Sequence, residues 1–381
     1  MMIKRGIIMG LTAGIVGLPN VGKSTLFNAI THAGAYVANY PFATIDPNVG
    51  IVNVKDDRLD KLTAVYHPKR EIYATVSFTD IAGLVKGASH GEGLGNQFLS
   101  HIRDTDAIVH VVRCFDNPDI IHKSGKEDPV EDAKVDPLDD IETIDYELIL
   151  ADMEVVENRM AKCAKKAELK QDKDAVTEYE ILKLIKEQLD NGKFASCAAL
   201  TKEQKVLVKS FALLTMKPVI YALNVSEDDI ATGNHYTEEV QKLAAEEGNK
   251  CVIVSAKIEG ELADLSEEDR KDYMDMLGME KSGVDDLIHA TYDLLGLATF
   301  FTAGEDECRA WTFKKGSKAP QCAGIIHTDF EKGFIRAEVI SYDDFITYGS
   351  VLKAREAGKM RSEGKEYIFQ DGDITLFRFN N

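Results

Sequence analysis

Residues 17–24 read Gly17-Leu18-Pro19-Asn20-Val21-Gly22-Lys23-Ser24, which is the pattern G-x-x-x-x-G-K-S of a phosphate-binding loop. Glycines allow backbone N–H groups to curl around an anion without Cβ clashes. Lys23 can reach the β- and γ-phosphate oxygens, and Ser24 can place its hydroxyl on Mg²⁺. The stretch therefore predicts that the chain binds a nucleoside triphosphate.

The sequence on either side of this loop agrees with that prediction. Residues 13–16 are an apolar stretch typical of a buried strand, and residues 24–30 are expected to form a helix whose N-terminus faces the phosphates. This order of strand, loop and helix is typical of an α/β phosphate-loop domain. The residues expected to contact the phosphates are Asn20, Val21, Gly22, Lys23, Ser24 and Thr25.

The composition is that of a globular protein with an excess of acidic residues. The 381 residues are 44% hydrophobic and 29% charged, and the formal net charge is −19. This charge argues against a protein that binds nucleic acid over its whole surface. Residues 298–381 contain 12 Lys and Arg against 13 Asp and Glu, so phosphate backbones do not strongly repel this C-terminal stretch.

The chain shows no feature of a membrane or secreted protein. No apolar run has transmembrane length, and the N-terminal MMIKRGIIMG does not read as a signal peptide. Met9 could be the true start, because the first strand begins just after it. The six cysteines form no C-x-x-C pair, which argues against a zinc site. We therefore expect reduced thiols, a cytoplasmic location and no membrane partner.

An α/β pattern runs through the first part of the chain and resumes later. Buried parallel strands are predicted at residues 76–80, 107–112, 218–224 and 251–255. Helices at 236–247 and 283–295 would complete this nucleotide-binding domain, to which we assign residues 1–135 and 215–297.

A helical insertion, assigned to residues 136–214, splits this domain. Apolar residues recur there at spacings of three and four, which predicts two helices with a narrow apolar stripe. They are Ile141, Ile144, Leu148, Ala151 and Val155 in the first helix and Tyr179, Leu182, Ile185 and Leu189 in the second. The charged residues 165–174 would form the turn of an antiparallel coiled-coil hairpin. The alternative is that both helices lie on the main sheet.

The C-terminal residues 298–381 have the pattern of a compact, mostly β domain. Strand-like pieces at 310–313, 334–340 and 374–379 alternate with turn sequences that contain glycine. Basic residues and Trp311 in this part could bind RNA, or could be solvated charges around a β core. The basic residues are Lys314, Lys315, Lys318, Lys353, Arg355, Lys359, Arg361 and Lys365.

Two further segments are expected to sense the γ-phosphate and the magnesium ion. Asp80 ends an apolar strand and begins the pattern D-x-x-G, which is completed by Gly83. Its carboxylate could hold Mg²⁺ through water, and the N–H of Gly83 could sense the γ-phosphate. Thr44 could complete the Mg²⁺ shell only when a triphosphate is bound.

Asn224-Val225-Ser226-Glu227 follows the strand at 218–224, where GTP-binding proteins usually carry N-K-x-D. In N-K-x-D the aspartate binds the ring N–H and the exocyclic amine of guanine, and here Glu227 takes its place. The lysine of that pattern covers the base, and here Val225 takes its place. Because a misplaced partner costs specificity, this difference favours adenine over guanine. Ser255, Ala256 and Lys257, after the next strand, fit the last loop that contacts the base.

Together these motifs resemble the YchF / Obg-like ATPase family of translation-factor-related P-loop GTPases. The resemblance spans nearly the whole chain and rests on Gly17–Ser24, Tyr40–Pro47, Asp80–Ala88, Gly91–Asn96, Asn224–Glu227 and Ile326–Asp329. It implies a nucleotide domain with a coiled-coil insertion and a C-terminal TGS domain of ubiquitin-like β-grasp type. It also implies a preference for ATP and association with ribosomes, for which we expect the large subunit, with rRNA contacts through the TGS domain and the coiled coil. We expect a monomer.

Hydrolysis is expected to be slow. Leu84 follows D-x-x-G where a Ras-type enzyme has the glutamine that orients water, and leucine forms no side-chain hydrogen bond. The resemblance points instead to His122 as the group that positions water, with His90 as a rival and a merely solvated His122 as the alternative. His110 lies within an apolar strand and is predicted to be a core residue. Asn20 resembles phosphate-loop asparagines of enzymes that recruit K⁺ as an activating ion.

The sequence thus predicts a slow, Mg²⁺-dependent ATPase that acts as a molecular switch on the ribosome. Two alternatives stay open from the sequence alone. One is a GTP-specific regulatory GTPase, against which Glu227 argues. The other is a non-hydrolysing scaffold that uses ATP as a structural ligand, which Leu84 leaves possible.

Overall fold

The computed structural model describes residues 11–33, 49–81, 94–116, 135–168 and 172–380. These residues fold into two compact units. Unit 1 contains residues 11–33, 49–50 and the described part of 77–291, and unit 2 contains residues 51–76 and 292–380.

The described residues form the following strands and helices in chain order. The strands are β1 (Thr12–Val16), β2 (Val49–Val54), β3 (Glu71–Ile72), β4 (Ala74–Asp80), β5 (Ala107–Arg113), β6 (Val219–Asn224), β7 (Lys250–Val254), β8 (Leu297–Ala303), β9 (Cys308–Lys314), β10 (Phe334–Ile340), β11 (Arg361–Glu363) and β12 (Ile374–Phe379). The helices are α1 (Lys23–Ala33), α2 (Asp57–Tyr66), α3 (Leu94–Arg103), α4 (Pro137–Glu168), α5 (Lys173–Asp190), α6 (Lys202–Val208), α7 (His235–Glu247), α8 (Ala256–Ala263), α9 (Glu267–Met276), α10 (Gly283–Leu294), α11 (Ala319–Ile326), α12 (Thr328–Lys332), α13 (Tyr342–Tyr348) and α14 (Val351–Glu356).

A six-stranded sheet in the order β2-β4-β1-β5-β6-β7 carries the phosphate loop, and the pairs from β4 to β7 are parallel. Every residue of β5 and β6 is buried, which agrees with their continuous apolar sequences. His110 lies in β5 with 2% of its surface exposed, so the prediction of a core histidine is confirmed. Burial lowers the pKa of this imidazole to about 3. Since the strands are parallel, the loops after β1, β4, β6 and β7 meet at one edge of the sheet.

The helical insertion forms a hairpin, as the apolar spacing predicted. Arg159 pairs with Glu178 and Glu157 pairs with Lys186, so α4 and α5 run antiparallel. Their facing side chains build a core of their own with residues 195–213. The beginning of α4 contacts β5 and α7, so part of this helix does lie on the sheet domain. Asp152 of α4 holds the segment that leads from the hairpin back to β6, because its carboxylate accepts hydrogen bonds from the N–H groups of Leu214 and Thr215.

Unit 2 is built on a second six-stranded sheet, in the order β11-β10-β12-β8-β9-β3. The β10 and β12 strands match the predicted ranges, and β9 extends the predicted piece at both ends. The four short helices α11 to α14 were not predicted. Phe300, Phe313, Phe369 and Phe377 form the centre of its aromatic core.

Residues 51–76 of unit 2 are far in sequence from the rest of that unit. Strand β3 pairs in parallel with β9, with Glu71 beside Cys308 and Ile72 beside Arg309. The Arg58 guanidinium binds Asp56 at 2.8 Å and Asp371 at 2.7 Å and lies over the ring of Phe301. Unit 2 is therefore assembled from two pieces of chain, which the sequence did not reveal.

Candidate nucleotide-binding site

The phosphate loop occupies the six residues between β1 and α1. A Cβ at Gly17 would lie 2.8 Å from the carbonyl oxygen of Val111, so only glycine fits there without a shift. Gly22 has a φ of +90°, a conformation that side chains disfavour, and a Cβ there would lie 2.3 Å from Nδ2 of Asn224. Both glycines of the motif are thus required by the backbone path. Asn20 also adopts a left-handed conformation, with a φ of +66°.

Lys23 is the first residue of α1 and lies at the edge of the sheet with 8% of its surface exposed. Its Nζ forms an ion pair with the Oδ1 of Asp80, the last residue of β4. A buried ammonium needs an anionic partner, and in this structure the carboxylate provides it. The two residues predicted for phosphate and metal binding are thus in direct contact.

Asn224 joins the phosphate loop to the loop after β7. Its Nδ2 donates to the carbonyl oxygen of Val21 at 2.8 Å, and its Oδ1 accepts from the N–H of Ala256 at 2.9 Å. The side chain is 4% exposed, so losing it would leave two buried backbone groups without these partners. Asn224 therefore holds two loops of the site together with both ends of its amide.

Ser255 and Ala256 stand where β7 gives way to α8. Both residues are buried, and the Oγ of Ser255 has no hydrogen-bond partner among the described residues. Val225 is 2% exposed and its N–H donates to the carbonyl oxygen of Val254. Its side chain is therefore part of the core behind the site.

Glu227 begins a short 3₁₀ turn and its side chain is 43% exposed. Its Oε2 accepts a hydrogen bond from the Nζ of Lys257 at 3.1 Å, and this bond joins the loop after β6 to the segment after β7. The pairing raises the pKa of Lys257 above its ordinary value, mainly through that hydrogen bond. Glu227 could be identified from its motif, but its partner could not, since the pairing depends on how two separate loops meet.

Several predicted residues come together in unit 1. Val21, Gly22, Lys23, Asp80, Asn224 and Ala256 form one connected set through the contacts above. Ser24 is exposed at the N-terminus of α1. Thr44, Gly83, Leu84, His90 and His122 lie outside the described residues.

The residues present suit a magnesium ion better than a transition metal. Ser24 and Asp80 offer hydroxyl and carboxylate oxygens, which are the ligands that Mg²⁺ prefers. Within the described ranges, no group of three or more His, Cys, Asp or Glu side chains is placed to hold a metal. The six cysteines are all described, and none forms a disulfide. No helix in the described part of the chain is long and apolar enough to cross a membrane.

Comparison with protein families identifies both ends of the chain. A family model for the C-terminal domain of YchF GTPases, described as a protein of unknown function, matches residues 297–380. A model described as a 50S ribosome-binding GTPase matches residues 12–159.

Full-length relatives carry the assignment. The chain is 59% identical to the Ribosome-binding ATPase YchF of Bacillus subtilis over 98% of its own length and 100% of that protein. It is 52% identical to the protein of the same name from Escherichia coli O157:H7, again over 98% of this chain and all of the relative.

A solved structure agrees with these matches. The Schizosaccharomyces pombe YchF GTPase is 40% identical, covers 97% of this chain and 98% of its own, and superposes with a TM-score of 0.86. The predicted architecture is confirmed in its coarse form: an α/β phosphate-loop domain, a helical region and a β-rich C-terminal domain. On these identities and coverages, the chain belongs to the YchF family.

Proposed function

We propose that this chain is an ATP-binding, slowly ATP-hydrolysing switch that associates with ribosomes in the cytoplasm and regulates translation or the stress response. The observation that supports this most is its similarity over essentially its full length to proteins named ribosome-binding ATPases. The site agrees, because Lys23, Asp80 and Asn224 are arranged around a phosphate loop.

Each residue of the site has a proposed role. Lys23 binds the β- and γ-phosphates, helped by the backbone of Asn20, Val21, Gly22 and Thr25. Ser24 would hold Mg²⁺, Asp80 would hold it through water, and Thr44 would join when a triphosphate is bound. A bound Mg²⁺ would supply positive charge to the phosphates. Gly83 senses the γ-phosphate, so hydrolysis releases the segments around Thr44 and Gly83.

The exchange of Asp80 for phosphate as the partner of Lys23 is central to this proposal. In the structure the ammonium is paired with the carboxylate, so binding of a triphosphate must supply a better anion. Replacing Lys23 with Ala should reduce ATP turnover by at least about 100-fold, as for loss of one group that stabilises transition-state charge. The exposed Lys202 of α6 provides the control, since Lys202→Ala should leave turnover unchanged. Equal turnover in Lys23→Ala would contradict the assigned role.

We propose that the base is adenine, recognised in the region of Asn224, Val225, Glu227, Ser255 and Ala256. Separate titrations with ATP and GTP should give tighter binding of ATP. Glu227→Asp should shift the ratio toward GTP by about tenfold, which is roughly one hydrogen bond. The exposed Glu246→Asp is the control. Equal or tighter binding of GTP by the unaltered protein would contradict the proposal.

That contrary result would favour the GTP-specific alternative, which one observation supports. The family model that matches residues 12–159 is described as a GTPase. The Glu227 carboxylate and its Lys257 partner are the local features that favour ATP, because the usual aspartate of that position is absent.

Slow hydrolysis and its activation are also proposed. We infer that His122 positions the water and that K⁺ beside Asn20 acts as an activating ion. Phosphate release should be faster in KCl than in NaCl, and both His122→Ala and Asn20→Ala should slow it. Unchanged turnover in either variant removes that residue's role. Absence of any phosphate release with Mg²⁺, K⁺ and ribosomes would favour the non-hydrolysing scaffold.

The domain limits proposed are residues 1–135 and 215–297 for the nucleotide domain, 136–214 for the coiled coil and 298–381 for a TGS domain of β-grasp type. We propose that the protein is a monomer and contacts the large ribosomal subunit and its rRNA through the coiled coil and the TGS domain. Co-sedimentation with separated subunits should recover it with the large one. Recovery with the small subunit alone would contradict this part of the proposal.

A further inference from the structure

One face of the sheet in unit 2 carries three arginines around a single carboxylate. Arg336 on β10 stands directly opposite Arg378 on β12, and Glu338 stands opposite Leu376. Since alternate residues of a strand point to the same face, these four side chains share one face of the sheet. Arg355 reaches the same place from α14. We call Arg336, Arg355 and Arg378 with Glu338 the arginine face.

The carboxylate at its centre is buried and the arginines are not. Glu338 is 7% exposed and accepts hydrogen bonds from Arg378 at 3.0 Å and from Arg336 at 3.1 Å. The nearest guanidinium nitrogen of Arg355 is 3.9 Å from the same carboxylate. About half of each arginine side chain is exposed.

The charge on this face is not balanced. Like charges directly opposite each other on neighbouring strands destabilise a sheet, and one carboxylate offsets only one of three guanidinium groups. The face therefore carries a net charge of about +2 from these four residues. This stands out in a chain whose formal net charge is −19.

Two other arginines of unit 2 are used differently. Arg58 is bound by Asp56 and Asp371, and Arg361 is bound by Glu363 and Asp373. Each of these has two carboxylates to itself, as expected for a guanidinium that stabilises the fold. The arginine face has three guanidinium groups to one carboxylate, so these groups are able to bind a further anion.

Exposed apolar side chains border the charges. Leu376 is 51% exposed beside Arg336 and Arg378, and Leu352 is 63% exposed. Leu352 precedes Arg355 by three residues on α14, so the two lie on the same side of that helix. The surface thus offers both charge-assisted hydrogen bonds and apolar contact.

We propose that the arginine face is a docking surface for the phosphate backbone of RNA. The planar guanidinium fork matches phosphate oxygens in pairs, and Arg336 and Arg378 present two forks side by side. The chain as a whole is acidic, so this net positive face is a more favourable place for a polyanion than most of the surface. The inference rests on the proposed association with ribosomes and identifies the residues through which unit 2 would take part.

The test measures binding of a short fluorescein-labelled single-stranded RNA to the full chain over a series of salt concentrations. Arg336→Gln with Arg378→Gln should weaken binding at least about tenfold and reduce the slope of log K against log salt by about 1.4, or 0.7 for each lost phosphate contact. The control is Lys69→Gln with Arg70→Gln, which removes the same charge from exposed ion pairs of unit 2. The control should keep the unaltered slope.

A third variant predicts the opposite sign. Glu338→Gln removes the competing carboxylate and should tighten RNA binding at least about threefold, because the guanidinium groups then have only the phosphates as anionic partners. If the double glutamine variant keeps the unaltered slope, or if Glu338→Gln does not bind more tightly, the proposal is overturned.

Two measurements separate this result from other causes. Thermal unfolding and ATP titration of each variant check the fold and unit 1, so a failure of the nucleotide proposal is seen independently of RNA binding. If the double glutamine variant does not fold, Arg336→Lys with Arg378→Lys should keep the salt slope but weaken binding; loss of the slope there overturns the proposal. Equal binding of polyglutamate would assign the face to an acidic protein instead.

Discussion

The phosphate loop of unit 1 and the Arg58 region of unit 2 are both assembled from distant pieces of chain, but only one is visible in the sequence. Residues 17–24 can be recognised as a phosphate-binding loop because binding of a phosphate requires glycine, lysine and serine at fixed spacing. Arg58, Asp56 and Asp371 carry out a purely structural task that many residue combinations could perform. A ligand constrains sequence more tightly than packing does.

The two regions also hold different kinds of buried charge. Lys23 has Asp80 as its anionic partner in this structure, and the proposed ligand is itself an anion, so that ion pair is expected to exchange. Arg58 is bound on two sides and lies over Phe301, which leaves no such role. Variants at the two places should therefore affect different properties of the protein.

The largest effect is expected at Gly22. In Gly22→Ala the new Cβ would lie 2.3 Å from the Nδ2 of Asn224 in a backbone conformation that side chains disfavour. Asn224 would have to move and give up its hydrogen bonds to Val21 and Ala256. We expect ATP affinity to fall at least about tenfold, measured by titration calorimetry. Unit 2 should be unaffected, as judged by hydrogen exchange.

A matched glycine provides the control for this substitution. Gly260 lies inside α8, and a Cβ there would meet nothing within 4 Å. Gly260→Ala should leave ATP affinity unchanged and increase stability by about 0.5–1 kcal/mol, because alanine is the better helix former. Equal loss of ATP affinity in both variants would show that the loop geometry is not responsible.

An intermediate effect is expected at Arg58. Arg58→Ala removes charged hydrogen bonds to Asp56 and Asp371 in a partly exposed setting, and should destabilise unit 2 by about 1–2 kcal/mol. Hydrogen exchange should be faster in β8, β9 and β12, whereas ATP affinity measured on the same sample should stay the same.

Lys69 is the control in the same segment of chain. Its ion pair with Asp306 is almost fully exposed, with 79% and 83% of the side chains accessible. Lys69→Ala should therefore change stability by less than about 1 kcal/mol. If Lys69→Ala were as harmful as Arg58→Ala, general loss of positive charge would explain both.

The last prediction concerns the pH dependence of unit 1. Burial lowers the pKa of His110 to about 3, from an ordinary value of 6.5. Between those values the unfolded chain binds a proton at this residue that the folded chain does not, so the contribution of His110 to stability falls as pH falls through this range. Burial raises the pKa of Asp145 in the same unit to about 8 and acts in the opposite direction, so the contribution of His110 is found by comparison with a variant that lacks it. The slope should be about 1.4 kcal/mol per pH unit for this one group.

Hydrogen exchange between pH 6.5 and 4 measures how the stability of β5 and β6 changes with pH, and the strands of unit 2 in the same sample provide the comparison. The difference in slope between the unaltered protein and His110→Leu gives the contribution of His110, since the variant lacks the titrating group. His289→Gln, at an exposed histidine of α10, should leave the slope unchanged. A slope of the same size in His110→Leu would mean that other groups cause it.

Much of the fold could be predicted from the sequence, because apolar periodicity reports burial. The parallel strands and the hairpin lie within a few residues of their predicted ranges, and β10 and β12 match theirs. The helices α11 to α14 were missed because they are short, and β3 and β8 because their sequences show no clear alternation. The place of residues 51–76 in unit 2 could not be predicted, since pairing of β3 with β9 leaves no local pattern.

The sequence predicted which residues belong to the candidate site more completely than it predicted the contacts between them. Asn224 was expected to contact the base, and the structure places both ends of its amide on the backbone of Val21 and Ala256. The pairing of Glu227 with Lys257 was missed, although Lys257 was expected in the last loop that contacts the base. Arg355 was named among the basic residues, but its place beside Arg336, Arg378 and Glu338 was missed, because these partners are brought close only by folding. The roles of Thr44, Gly83 and His122 stay predictions.

The division of unit 2 into two pieces has a consequence for its synthesis. The α2 helix, with Leu59 and Leu62 fully buried, packs on β8 and β9, which begin at Leu297 and Cys308. About 230 residues must be translated between α2 and β8, which takes roughly 10–45 s at 5–20 residues per second. During that time the nascent chain exposes the apolar side of this amphipathic helix before its final partners are made, so residues 51–76 are where a chaperone would be expected to bind the growing polypeptide.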